Sequence, residues 1–127
     1  MSRLPFYDPL GYSCHQLLTV VETPTFTRRC EALLTSEERD ALMVVLASHP
    51  EAGELIVGTG GVRKLRFAAK GAGKSGGVRV VYYFFDRGEP LYALLIYGKN
   101  ERADLTPQQR KSVSAFARAI KQSRQSK

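Results

Sequence analysis

Four cations lie in two strand-like runs on either side of a glycine-rich segment. Arg63, Lys64 and Arg66 belong to Gly61-Val62-Arg63-Lys64-Leu65-Arg66-Phe67, and Arg79 belongs to Val78-Arg79-Val80-Val81-Tyr82-Tyr83-Phe84-Phe85. Strand alternation puts Leu65 and Phe67 on one face and Lys64 and Arg66 on the other, so one face can build core while the other holds a polyanion. The chemistry available to such a set is phosphate chemistry. Arg66 and Arg79 can bind phosphate oxygens in bidentate fashion, and Lys64, with cations around it, is a candidate base. The plainer alternative is a half-exposed hairpin whose cations are merely solvated.

The glycine-rich segment from Lys70 to Gly77 would let Lys70 and Lys74 follow a polymer backbone. Tyr82, Tyr83, Tyr92 and Tyr97 interleave with the cations, and exposed rings of this kind stack on bases. Their place in strong strands assigns most of them to the core. Tyr97 is the one expected at the surface, because it ends its strand beside Gly98-Lys99-Asn100.

Other motifs carry less. Gly71-Ala72-Gly73-Lys74-Ser75 ends like a phosphate-binding loop, but Ala68 stands where the first glycine is required, and Gly76-Gly77-Val78 leads into a strand where a helix N-terminus is needed. His15 and His49, the only histidines, read as surface residues in weakly patterned stretches. Glu37 and Glu38 sit at a helix start and complement its dipole. Cys14 and Cys30 lack metal-ligand spacing and read as free thiols, so no metal and no cofactor is expected.

The elements that must position these residues can be taken in chain order. Residues 1–16 have no periodicity and read as an N-terminal extension. Leu17 to Glu22 is a short strand stopped at Thr23-Pro24, and Phe26 to Leu34 a short helix. Thr35-Ser36-Glu37-Glu38 opens a second helix by a capping box, with Leu42, Val45 and Leu46 as its apolar stripe and an end near Ser48. Pro50 to Gly61 is loop-like. The two basic strands follow, then Leu91 to Tyr97 as a further strand after the Asp86-Arg87-Gly88 turn. Thr106-Pro107-Gln108-Gln109 caps a last helix bearing Val113, Phe116, Ala117 and Ile120 on one face. The order is strand, helix, helix, three strands, helix. It predicts an α+β domain over residues 17–122, with a mainly antiparallel four-stranded sheet, a helical hairpin, a C-terminal helix and a frayed tail at 123–127.

At 127 residues, 43% of them hydrophobic, the chain fills one core. No apolar run is long enough to span a membrane and no leader pattern opens the chain, so a cytoplasmic protein without a membrane partner is expected. The net charge of +7 is unevenly distributed: residues 1–55 hold 4 Lys/Arg against 8 Asp/Glu, and residues 56–127 hold 15 against 4. A basic half of this kind favours a polyanionic partner such as nucleic acid.

This element order resembles the RelE/HigB superfamily of type II toxins, and within it the HigB2-type branch. The resemblance is carried by Arg63-Lys64-Leu65-Arg66, by Gly73-Lys74-Ser75-Gly76-Gly77-Val78-Arg79 and by Tyr97-Gly98-Lys99-Asn100-Glu101, and it runs from about Leu17 to Ile120. It implies a small bacterial toxin that cuts mRNA in the ribosomal A site and is neutralised by a cognate antitoxin. The family's strand-borne cations fall on Lys64, Arg66 and Arg79. A further family arginine meets Asn100, with Lys99 as its cationic neighbour, and the C-terminal tyrosine of the best-studied branch meets Thr106. Lys64, Arg66, Arg79, Lys99 and Asn100 are thus the implied catalytic set, with Arg63, Lys70, Lys74 and Tyr97 as RNA-binding residues. Two rival functions share the scaffold: a ParE-like toxin that inhibits gyrase, and a non-catalytic nucleic-acid-binding module whose cations only position phosphates.

Overall fold

The computed structural model describes residues 18–69, 77–99, 101 and 104–125. The expected N-terminal extension, the loop with Lys70 and Lys74, and Asn100 lie outside the described residues. The elements are β1 (Val20–Glu22), α1 (Pro24–Leu33), α2 (Ser36–Ser48), β2 (Glu54–Leu55), β3 (Val62–Phe67), β4 (Val78–Tyr83), β5 (Leu91–Gly98) and α3 (Pro107–Gln125). They form one sheet of order β1-β5-β4-β3-β2, in which β1 runs parallel to β5 and every other pair is antiparallel. The α+β class and the helix order are those expected. The sheet has five strands instead of four, because Glu54 pairs with Lys64 and Leu55 with Arg63 in a stretch that reads as loop. A strand of two residues is too short to show a period of two.

The helices start where their caps place them. Thr23 accepts a hydrogen bond from Phe26 N at 3.1 Å ahead of Pro24, and α1 buries Phe26, Cys30 and Leu33. Thr35 and Glu38 form a reciprocal capping box, and Leu42 and Leu46 are the buried stripe of α2. A carboxylate–guanidinium pair, Glu22 with Arg39 at 2.6 Å, ties β1 to α2.

The sheet is covered on both faces. On one side α1 and α2 pack on Val78, Val80, Tyr82, Ala93 and Ile96. On the other, α3 brings Val113 and Ala117 against Val62, Val81, Tyr83 and Leu94. This is why β4 and β5 read as nearly continuous apolar runs: strands covered on both faces lose the polar half of the alternation. Cys30 lies in the first core as a free thiol, and burial pushes its pKa up. Gly77 has φ 77° just before β4, and a Cβ there would meet Phe67 O at 2.4 Å, so the chain can approach the end of β3 this closely only at a glycine. Among the described residues, no helix is long and apolar enough to cross a membrane.

Leu46→Ala, which empties a fully buried position, should cost about 2–5 kcal/mol, whereas Thr35→Ala should cost about 1 kcal/mol by removing one cap. Urea denaturation of the two variants checks both magnitudes and their order.

Candidate active site

β3 and β4 run side by side in a register that sets Arg66 directly opposite Arg79. Both side chains lie on the face that carries α3, as does Lys64, two residues back along β3. Lys99, in the turn after β5, is held by its backbone N–H to Gly77 O at 3.2 Å. Together with Ala52, Glu54 and Leu65 these four cations line one cleft of about 630 Å³. Among the described residues, the side chains of Arg66, Arg79 and Lys99 have no acidic partner. Like charges placed directly across a ladder repel. A bound anion reverses that term, because two guanidinium forks then share its oxygens.

Lys64 is differently placed. Its Nζ lies 3.6 Å from Asp104 Oδ1, and the other oxygen of that carboxylate lies 3.6 Å from Arg110 Nη2 in the first turn of α3. The Leu105 N–H, 2.8 Å from Asp104 Oδ1, and then the charges of Lys64 and Arg110 hold the Asp104 carboxyl below the usual carboxylate range. The carboxylate thus holds the Lys64 ammonium where Lys64 lines the cleft.

Two residues expected to meet RNA have other work. Arg63 points to the opposite face, where its Nη1 donates to Gly53 O at 2.8 Å and Glu51 O at 3.2 Å. Tyr97, expected at the surface, is only 4% exposed. It pairs with Arg79 in the ladder and packs in the α3-side core, so its ring is not offered to a base. Tyr82 and Tyr83 are buried as well, and Tyr92 stacks edge-on against Phe116. Lys70, Lys74 and Asn100 lie outside the described residues. Thr106 is not in the cleft; it caps α3, accepting from Gln109 N at 3.1 Å. His49 ends α2, exposed and away from the cleft, with Nδ1 3.0 Å from Ser48 Oγ.

Glu54 and Asp104 were not singled out by sequence reasoning. Glu54 would have needed the two-residue strand β2 to be legible, and Asp104 sits in a turn with no periodicity. Among the described residues, no three His, Cys, Asp or Glu side chains converge as metal ligands.

Residues 29–127 match the family model described as the RelE toxin of the RelE/RelB toxin–antitoxin system. In fold, the chain is similar to a double arginine-to-alanine mutant of the E. coli toxin RelE in the free state. That likeness has a TM-score of 0.51 at 16% identity, covering 79% of this chain and 96% of the other.

Short single-stranded RNA should bind the cleft with strong salt dependence. Arg66→Ala or Arg79→Ala should each lower the slope of log affinity against log salt by roughly 0.7, measured by fluorescence anisotropy. Asp104 should also leave a pH signature. Its carboxyl is depressed in the folded state, so its contribution is present at neutral pH and lost as pH falls through the folded value. Because the side chain is 56% exposed, the stability gap between wild type and Asp104→Asn should stay below about 1 kcal/mol at pH 7 and close in acid, as followed by thermal melting.

Proposed function

The chain belongs to the RelE toxin family, the toxins of type II toxin–antitoxin systems, and on that premise we propose that it is a ribosome-dependent mRNA endonuclease of the HigB2-type branch. The observation that carries this reading is the Arg66–Arg79 pair, two cations opposed across a ladder in a cleft that adds Lys64 and Lys99. The ParE-like gyrase inhibitors that share the scaffold generally lack such a basic set, which weighs against that reading.

Internal cleavage of RNA requires that a 2′-hydroxyl lose its proton and attack the adjacent phosphorus. The P–O5′ bond then breaks, and the departing 5′-oxygen takes up a proton. Between these events the phosphorane carries extra negative charge. Arg66 and Arg79 supply fixed, unneutralised positive charge where that charge develops, which is the preorganised arrangement that stabilises a transition state. Lys64, steered by Asp104, contacts a neighbouring phosphate and fixes the register of the strand. An open cleft on so small a domain does little to hold a flexible RNA in an in-line geometry, and the ribosomal A site supplies that orientation. In this reading the cognate antitoxin keeps the basic cleft from the ribosome, and the protein acts in the cytoplasm.

Primer extension on mRNA from translating ribosomes should reveal new 5′ ends with the wild-type protein. Arg79→Ala should reduce cleavage at least about a hundredfold while melting at a similar temperature. Intact mRNA alongside wild-type growth inhibition would refute the endonuclease reading.

A further inference from the structure

Outside the cleft, α3 is charged with one sign. The helix carries Arg110, Lys111, Arg118, Lys121 and Arg124 and no Asp or Glu. Arg124 is paired with Asp86 and Glu89, and Arg110 with Asp104. Lys111 and Arg118 are exposed and meet no acidic partner among the described residues. A helix face that is merely solvated gains from acids three or four residues away from its cations, whereas like charges at that spacing, such as Arg118 and Lys121, repel. A polyanion laid along the row removes that repulsion.

The row is one wall of a groove. Arg110, Lys111, Ser114 and Arg118 line a cavity of about 520 Å³ together with Leu105, Pro107 and, from the loop between β2 and β3, Gly58. That loop is held in place. Arg110 Nη1 donates to Val57 O at 2.8 Å, and the buried Thr59 hydroxyl donates to Ile56 O at 2.7 Å and accepts from Val62 N at 3.2 Å. Gly58 has φ 81°, and a Cβ there would meet nothing within 4 Å, so the loop presents bare backbone and leaves the groove open. Further along α3 the Lys121 ammonium lies beside the same loop, 3.6 Å from where a Cβ at Gly60 would stand.

The groove begins where the cleft ends. Asp104 has one carboxylate oxygen 3.6 Å from Nζ of Lys64, which lines the cleft, and the other 3.6 Å from Nη2 of Arg110, which lines the groove. Resting on the reading of the cleft as an RNA site, we infer that the groove between α3 and the β2–β3 loop takes the single-stranded RNA as it leaves the cleft, with Arg110, Lys111 and Arg118 on its phosphates. The rise from Arg110 to Arg118 is about 12 Å, room for roughly three or four nucleotides at about 3.4 Å each. Leu105 and Pro107 give the sugars and bases an apolar surface beside the cations. Asp104, matched by a cation on either side, does not interrupt the basic path. Such contacts fix the course of the strand without selecting its sequence. Continuity with the cleft is what favours RNA here over an acidic protein segment.

Fluorescence anisotropy on the full chain without ribosomes, using single-stranded RNAs of about four and about twelve nucleotides, tests this. The shorter RNA occupies the cleft alone, and the longer one also reaches the groove. The double variant Lys111→Ala/Arg118→Ala should lower the slope of log affinity against log salt by roughly 1.4 for the longer RNA and leave the shorter one unchanged. Arg79→Ala should weaken both. A double variant that binds the longer RNA as the wild type does overturns the inference. If that variant instead loses affinity for poly-glutamate, the surface takes an acidic protein, and if it loses affinity for ribosomes free of mRNA, the surface takes ribosomal RNA. Equal weakening of the two lengths, or a longer RNA indifferent to Arg79→Ala, separates groove from cleft and overturns it as well. A wild type that binds neither RNA overturns the reading of the cleft, and this inference with it.

Discussion

β4 is the constraint on which the rest of the structure depends. It lies in the middle of the sheet with helices on both faces, so each of its side chains must enter one core or the other. Val78, Val80 and Tyr82 fill the α1–α2 side, and Val81 and Tyr83 the α3 side. Arg79 is the only position in this strand with a charge. A cation in such a place is costly unless its head emerges from the packing. It does so because α3 starts only at Pro107 and packs over the far end of the face, around Val62 and Tyr83, leaving the end at Arg66 and Arg79 as an open cleft. The site is a gap in the second layer of a three-layer domain.

The distribution of acidic side chains makes that gap basic. Glu22 is paired with Arg39, Glu101 with Arg29, and Asp86 and Glu89 with Arg124. Each pair joins elements distant in sequence, such as β1 to α2 or the turn before β5 to the end of α3. Exposed pairs of this kind contribute little individually to stability. Their consequence is electrostatic: these carboxylates are committed elsewhere, while Arg66, Arg79 and Lys99 meet none among the described residues. Four cations of the basic half of the chain are thereby gathered in one cleft.

Tyr82 couples this cleft to the core. Its ring belongs to the α1–α2 side, and its hydroxyl reaches out to Pro50 and Gly53. Burial raises its pKa, so it remains a neutral phenol able both to donate and to accept. The loop after α2 and the edge strand β2 are therefore fastened to the best-packed strand of the sheet, and Glu54 is carried with them.

The sequence by itself determined the elements whose signals are local. Thr35 with Glu38 and Thr106 with Gln109 announce two helices, since a cap is a contact between residues three apart. The alternation of Lys64 and Arg66 with Leu65 and Phe67 announces which side of β3 is wet. Lys64, Arg66 and Arg79 were legible as candidate phosphate contacts from residue type and strand context, whereas Lys99, outside any strand, entered only through the family resemblance. Only the tertiary structure decided what depends on register and layering. That Arg66 stands opposite Arg79, that Glu54 stands opposite Lys64, and that Asp104 comes back to Lys64 are pairings across ten or more residues, which no periodicity encodes. Tyr97 and Arg63 show the same limit from the other side. Both sit among cations and look available, yet the depth at which a strand residue lies depends on what packs above it. Tyr97 is buried in the core on the α3 side, and two backbone carbonyls claim Arg63.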